Sequence, residues 1–295
     1  MSTKKEEYSK YYVPDQSIWP IVGALALGLI AFGAGHFTIE ASKQEEGFGH
    51  YVLGAGMLVL LIMLVGWFGD QIRESRQGLY NEQLGRSYKQ GMSWFIFSEV
   101  MFFLAFFGAL FYARMIAVPW LGGASNNVAT GEILWPAFEA IWPLTTTPDG
   151  TTTQAMGWFG LPLMNTAILV VSSVTLHFAH VALEEDKRKA LTSWLIVTIV
   201  LGLIFLGFQG YEYVHAYRDL GLTMQSGIYG NTFFLLTGFH GLHVTLGAIL
   251  LIVMLGRVLK GHFTKDDQFG FQAAAWYWHF VDVVWLLLFV FVYII

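Results

Sequence analysis

Seven stretches of this chain are too long and too apolar to be anything but membrane spans. They run Ile18–Ile39, Tyr51–Phe68, Met92–Ile116, Leu161–Leu183, Leu191–Tyr213, Tyr229–Leu255 and Ala273–Ile295. Each reaches the roughly 18 residues that a helix needs to cross a hydrocarbon core ~30 Å thick. Backbone polar groups find no water in lipid, so only helices and closed barrels span it. None of the seven runs shows the alternation of a barrel strand. The predicted fold is therefore all-α and polytopic. Only 13% of the residues are charged, about half the ordinary share of ~25%, and the charges cluster between the runs.

Those clusters set an orientation. Lys4, Lys5, Lys10, Arg73, Arg76, Arg86, Lys89, Lys187, Arg188, Lys189, Arg257, Lys260 and Lys265 fall on one side, whereas only Lys43, Arg114 and Arg218 fall on the other. Cytoplasmic loops carry the Lys and Arg excess, so the N-terminus is expected in the cytoplasm and the C-terminus outside. The expected organisation is a cytoplasmic arm over 1–17, two spans within 18–69, a cytoplasmic loop over 70–91 and five spans within 92–295. An external loop covers about 117–160, without Lys or Arg but with Trp120, Trp135, Trp142 and Trp158. Its tryptophans suit the headgroup level, and a docking surface fits them equally.

Several chemistries are excluded by residue content. With no cysteine in the chain, disulfides, thiolate metal sites and cysteine nucleophiles cannot form. A net charge of −5 and no basic block longer than Lys187-Arg188-Lys189 give no footprint for nucleic acid. The arm Met1 to Gln16 mixes Lys and Glu, unlike a secretory signal or an acid-poor transit peptide.

Ionisable groups inside spans are costly and are functional candidates by default. Here they are Glu99 in the third span, His177 and His180 in the fourth, His240 and His243 in the sixth, and His279 with Asp282 in the seventh. The last three pairs are spaced i,i+3, so each shares a helix face. Counted from the cytoplasmic ends of the apolar runs at ~1.5 Å per residue, Glu99 lies roughly 12 Å deep, His279 10 Å, Asp282 15 Å and His177 9 Å, against roughly 20 Å for His243. The expected layer is therefore Glu99, His279, Asp282 and His177, with Glu99 either protonated or bonded to a histidine. Helix-to-helix hydrogen bonding accounts for the same residues more plainly, at about 0.6 kcal/mol each. Glu212 and His215 fall near the outer surface and are expected to be solvated. No metal ligand set and no catalytic residue is assigned.

Four classes compete. A seven-helix receptor places its N-terminus outside, against the charge bias, and a retinal pigment needs a lysine that Ala273–Ile295 lacks. A di-iron desaturase needs more His boxes, at one depth. A secondary transporter shows repeated or broken halves, and none is visible. A non-redox subunit of a larger membrane enzyme fits the buried protonatable groups and the absence of an adequate cofactor site.

Specific motifs sharpen the last class. They are Phe269-Gly270-Phe271, the run Ala275-Trp276-Tyr277-Trp278-His279-Phe280-Val281-Asp282-Val283-Val284-Trp285, Tyr229-Gly230-Asn231-Thr232-Phe233-Phe234 and Thr237-Gly238-Phe239-His240-Gly241-Leu242-His243. Gln209 to Tyr213, Ile72-Arg73-Glu74-Ser75 and Phe97-Ser98-Glu99-Val100 follow the same order. In these motifs, and over nearly its whole length, the chain resembles subunit III of cytochrome c oxidase, the haem–copper oxidase of respiratory chains. The resemblance implies seven helices arranged as a two-helix V and a five-helix bundle, with phospholipid held between them. It implies no cofactor in this chain, haem a and copper lying in partner subunits. The implied partners are subunits I and II, chiefly subunit I, with cytochrome c reached through the complex. Glu99 matches the family's carbodiimide-reactive glutamate, and lipid contacts map onto Glu74 and Arg257 with Arg73 and Trp67 nearby. Phe68 stands where relatives carry Trp, and Tyr80 where they carry His. Related quinol oxidases lack the first two spans in this subunit, so the resemblance points to a bacterial aa3-type cytochrome c oxidase of the inner membrane. The implied role is to keep proton uptake fast and to stabilise the catalytic subunit during turnover.

Overall fold

The computed structural model describes residues 12–13, 16–264 and 267–295. Most of the 1–17 arm, including Lys4, Lys5 and Lys10, and also Lys265, lie outside the described residues. Seven helices are long and apolar enough to span a membrane: α1 (Trp19–Lys43), α2 (Gly49–Arg76), α3 (Glu82–Leu121), α4 (Leu161–Glu184), α5 (Arg188–Arg218), α6 (Ile228–Leu259) and α7 (Phe269–Ile294). Helix α3 passes through one π turn, Ala113–Ala117, and α7 ends in another, Phe289–Ile294.

Every helix but α1 starts earlier than, or level with, its apolar run, and most also end later. The reason is that lipid demands apolar side chains only within the hydrocarbon, whereas backbone hydrogen bonding continues the helix into water. The largest difference is in the segment read as the loop 70–91. Helix α2 carries Asp70, Arg73 and Glu74 past the apolar run, and α3 begins at Glu82, leaving only 77–81 as a connector. Asn81 starts α3 in the ordinary way, its side-chain oxygen accepting from the Leu84 N–H at 2.8 Å.

Chain contacts divide the protein into two compact units, Met1–Tyr88 and Lys89–Ile295. In the first, α1 and α2 pack closely because glycine leaves room: a Cβ on Gly33 would lie 2.3 Å from the Leu53 backbone nitrogen. The Glu40 carboxylate accepts from the Gly49 N–H through both oxygens, at 3.2 and 3.1 Å, placing an anion at the positive end of α2. At the other end of α2, the Tyr80 hydroxyl donates within a cluster of Gln71 and Glu74, and Tyr88 donates to Gln71 Oε1 at 2.8 Å. Burial, followed by the neighbouring Tyr88 and Glu74, pushes the Tyr80 phenol above its ordinary range. Leu25, Phe32, Leu58 and Val65 face outward from α1 and α2, as lipid or a partner requires.

In the second unit α7 is the most deeply buried span. Trp278 and Trp285 are fully enclosed. The Trp278 indole N–H donates to Ser172 Oγ at 3.0 Å and that of Trp285 to Thr166 Oγ1 at 2.9 Å, tying α7 to α4. Glycines admit the Trp278 ring: a Cβ on Gly202 of α5 would lie 2.5 Å from it, and one on Gly247 of α6 2.9 Å. Small residues thus let large ones fill the bundle, as is usual in membranes.

The external loop is partly docked and partly exposed. Thr146 and Thr152 form an isolated antiparallel bridge, closed by a turn at Asp149-Gly150. The Thr147 hydroxyl and Thr151 N–H donate to Asp149, which lowers its carboxyl below the usual range. Thr153 Oγ1 and Gln154 N both donate to the Leu220 carbonyl at 3.0 Å, and the Met156 N–H donates to Tyr229 at 3.1 Å. Trp142 packs edge-on against Tyr229, while Trp120 and Trp158 are exposed. The tryptophans therefore divide between packing inward and facing out.

Candidate functional site

The candidate site is the polar group set inside the five-helix unit. Its centre is Glu99, whose Oε2 lies 2.8 Å from His243 Nε2. His243 Nδ1 lies 2.7 Å from the Phe239 carbonyl, an acceptor only, so Nδ1 carries a hydrogen and donates it. The contact with Glu99 then holds a single proton, on the imidazole or on the carboxyl. Either way the pair carries no net charge, which removes the main cost of a carboxylate in a span. Phe102, Phe103 and Tyr277 surround the imidazole, with ring centroids 5.7, 4.9 and 6.4 Å away.

The expected layer of Glu99, His279, Asp282 and His177 does not form around Glu99, which meets His243 instead. Depth was counted from apolar-run ends, and α3 begins ten residues before its run. Glu99 stands 17 residues after Glu82, and His243 stands 16 residues before Leu259. Both are thus about 25 Å from the helix ends on the same face of the membrane at ~1.5 Å per residue.

The other histidines are dispersed. His279 Nδ1 is 2.6 Å from Ser173 Oγ, joining α7 to α4. Asp282, one turn on, is buried, but His279 approaches only to 3.8 Å, too far for a hydrogen bond. His240 is fully enclosed, donating from Nε2 to the Val281 carbonyl at 3.1 Å, with its ring 5.0 Å from that of Trp285. His177 was expected to be buried and is exposed, because the buried stripe of α4 runs through Ser172, Thr175, Leu176, Ala179 and Leu183 and His177 lies beside it. Glu99, His180 and His279 are half-buried rather than buried. Among the described residues no group of three or more His, Asp or Glu side chains converges as a metal ligand set.

A second polar group was missed. Glu212 is 1% exposed, not solvated, and the Tyr293 hydroxyl donates to its Oε1 at 2.5 Å. Helix α5 continues to Arg218, so Glu212 sits more than a turn inside its end. Gln209, spaced i,i+3 from it, is also buried; that spacing was the available signal. His215, also read as solvated, is half-buried and pairs with Asp219 at 2.6 Å. Side-chain hydrogen bonds in bilayers average about 0.6 kcal/mol, but a dry carboxyl stripped of its donor sits higher. Tyr293→Phe is expected to cost about 1–3 kcal/mol, read as a lower unfolding temperature in detergent. Phe at this position without any loss would show that Glu212 finds another donor.

The four residues mapped as lipid contacts divide between the two units. In the first unit, Trp67 is exposed and stacks on Phe68 at 5.5 Å. Arg73 pairs with Asp70 at 3.0 Å, and Asp70 also accepts from the Trp19 indole at 2.7 Å. Glu74 accepts from Tyr80 at 3.1 Å. In the second unit, the Arg257 guanidinium lies 4.2 Å from the centre of the Phe263 ring.

The family model described as cytochrome c oxidase subunit III matches residues 9–295. Cytochrome c oxidase subunit 3 of Danio rerio is 41% identical over 284 residues, covering 96% of both chains. The proteins of that name from Gadus morhua and Latimeria chalumnae are 40% and 41% identical over 285 residues, again covering 96% of both chains.

Proposed function

The chain belongs to the cytochrome c oxidase subunit III family, and from that premise we propose that it is a non-redox supporting subunit of a proton-pumping oxidase. Electrons pass from cytochrome c to oxygen through haem a and copper in partner subunits. This chain packs chiefly on subunit I, keeps proton uptake into it fast and slows its inactivation during turnover. The observation that carries the reading is the family match across nearly the whole chain. The neutral Glu99–His243 pair supports it, since it holds its proton within one closed contact.

The proposal places the chain in a bacterial cytoplasmic membrane. The Lys and Arg excess supports a cytoplasmic N-terminus and a periplasmic C-terminus. Protonatable groups on the cytoplasmic surface near a proton entrance raise the local proton supply. Phospholipid held in the first unit by Trp67, Arg73 and Glu74, and separately in the second by Arg257, stiffens the neighbouring subunit. Purification through a tag on this chain is expected to bring down haem a, copper and two larger polypeptides, seen by optical spectrum and metal analysis. A lone colourless chain would overturn the assignment. Glu99→Gln is expected to leave the number of protons pumped per electron unchanged. A lowered ratio in proteoliposomes would instead place Glu99 on a conducting path.

A further inference from the structure

A cavity of about 620 Å³ opens between the first turns of α5 and the last turn of α6, at the membrane face that carries the Lys and Arg excess. Arg188, Lys189, Thr192 and Ser193 form one wall, and Val258 and Leu259 form part of the other. We infer that this cavity holds the phosphodiester headgroup of an anionic phospholipid. The inference lies beyond the contacts proposed above, because none of Trp67, Arg73, Glu74 or Arg257 lines this cavity.

The charges select the ligand. Arg188 is partly committed within the protein: Nε donates to Asp186 at 3.1 Å and Nη2 to the Phe263 carbonyl at 2.5 Å, while Nη1 has no hydrogen-bond partner among the described residues. Lys187 is neutralised by Glu185 at 2.7 Å. Lys189 has no ion pair and Ser193 no hydrogen bond among the described residues, although serine in a membrane helix commonly bonds back to its own helix. Thr192, by contrast, is satisfied by the Arg188 carbonyl at 3.0 Å. The site therefore offers the positive charge of Lys189, the spare Nη1 donor of Arg188 and the exposed hydroxyl of Ser193. A cation flanked by neutral and charged donors suits the single negative charge of a phosphodiester, and the test below separates it from a free phosphate. The exposed apolar side chain of Leu259 borders the cavity on the lipid side, where an acyl chain would run.

A neighbouring cavity of about 260 Å³, between α4 and α5, makes the contrast. Its lysine is Lys187, already paired with Glu185, and Phe178 and Trp194 make much of its wall. It presents no free cation to a headgroup.

The test is a titration of the full chain, purified in mild detergent, with dioleoyl phosphatidylglycerol and native mass spectrometry as readout. Lys189→Gln is expected to weaken one binding event about fivefold, the contribution of one cation at a membrane surface. Lys187→Gln is expected to bind as the unaltered chain does, and phosphatidylcholine or millimolar inorganic phosphate is expected not to compete. A Lys189→Gln chain that titrates normally, or phosphatidylcholine that binds equally well, would overturn the inference. Displacement by inorganic phosphate would assign the cavity to a free anion and overturn the lipid assignment.

Discussion

Trp278→Ala is expected to destabilise the protein by about 3–5 kcal/mol, the usual cost of removing a buried Trp side chain. The ring is fully enclosed, donates to Ser172 and occupies the space left by Gly202 and Gly247 on two other helices. Its loss therefore opens a void where α4, α5, α6 and α7 converge. The apolar transfer contribution is small between lipid and a helix interior, so most of the cost comes from packing contacts that nothing replaces. Ser172→Ala removes only the hydrogen bond and is expected to cost about 0.6 kcal/mol. Trp94→Ala, at an exposed position, serves as the control. Thermal unfolding in detergent should rank Trp278→Ala far below Ser172→Ala, with Trp94→Ala near the unaltered chain. Equal unfolding temperatures for Trp278→Ala and Trp94→Ala would show that α7 is not the organising helix.

Much of this fold is legible in the amino-acid order because lipid imposes one requirement that residues either meet or fail. Apolar runs mark the spans, and all seven become helices. What hydropathy does not mark is where a helix ends once it leaves the hydrocarbon. Asn81 is a recognisable cap, but the charged turns of α2 and the first ten residues of α3 read equally well as loop. That error propagated to the site. A depth counted from Met92 instead of Glu82 separated Glu99 from the histidine it touches. The same fault at the other end of α5 set Glu212 in water, when Tyr293 covers it. The i,i+3 spacing of His177 and His180 marks a shared face but not whether that face turns inward. Partners joined across 144 positions, as Glu99 and His243 are, depend on helix rotation, which one sequence does not encode in any periodicity.

The second large effect concerns turnover. If this chain supports the catalytic subunit rather than carrying electrons, removing it should spare the first cycles of oxygen reduction and shorten the enzyme's working life. On the proposed reading the redox centres lie in partner subunits, so electron transfer needs nothing from this chain. On the same reading proton delivery and the packing of subunit I do need it, and their failure accumulates with each cycle. Conditions that demand faster proton uptake should therefore widen the difference, and Tyr293→Phe, which loosens the bundle without touching Glu99, should fall between the complete and depleted enzymes. The most direct measurement follows oxygen consumption by the oxidase with and without this chain, from the first seconds through sustained turnover. The account predicts similar initial rates, unchanged haem spectra and a much faster decay of activity in the depleted enzyme. Loss of the haem a spectrum or of the initial rate, or an identical decay in both enzymes, would contradict it.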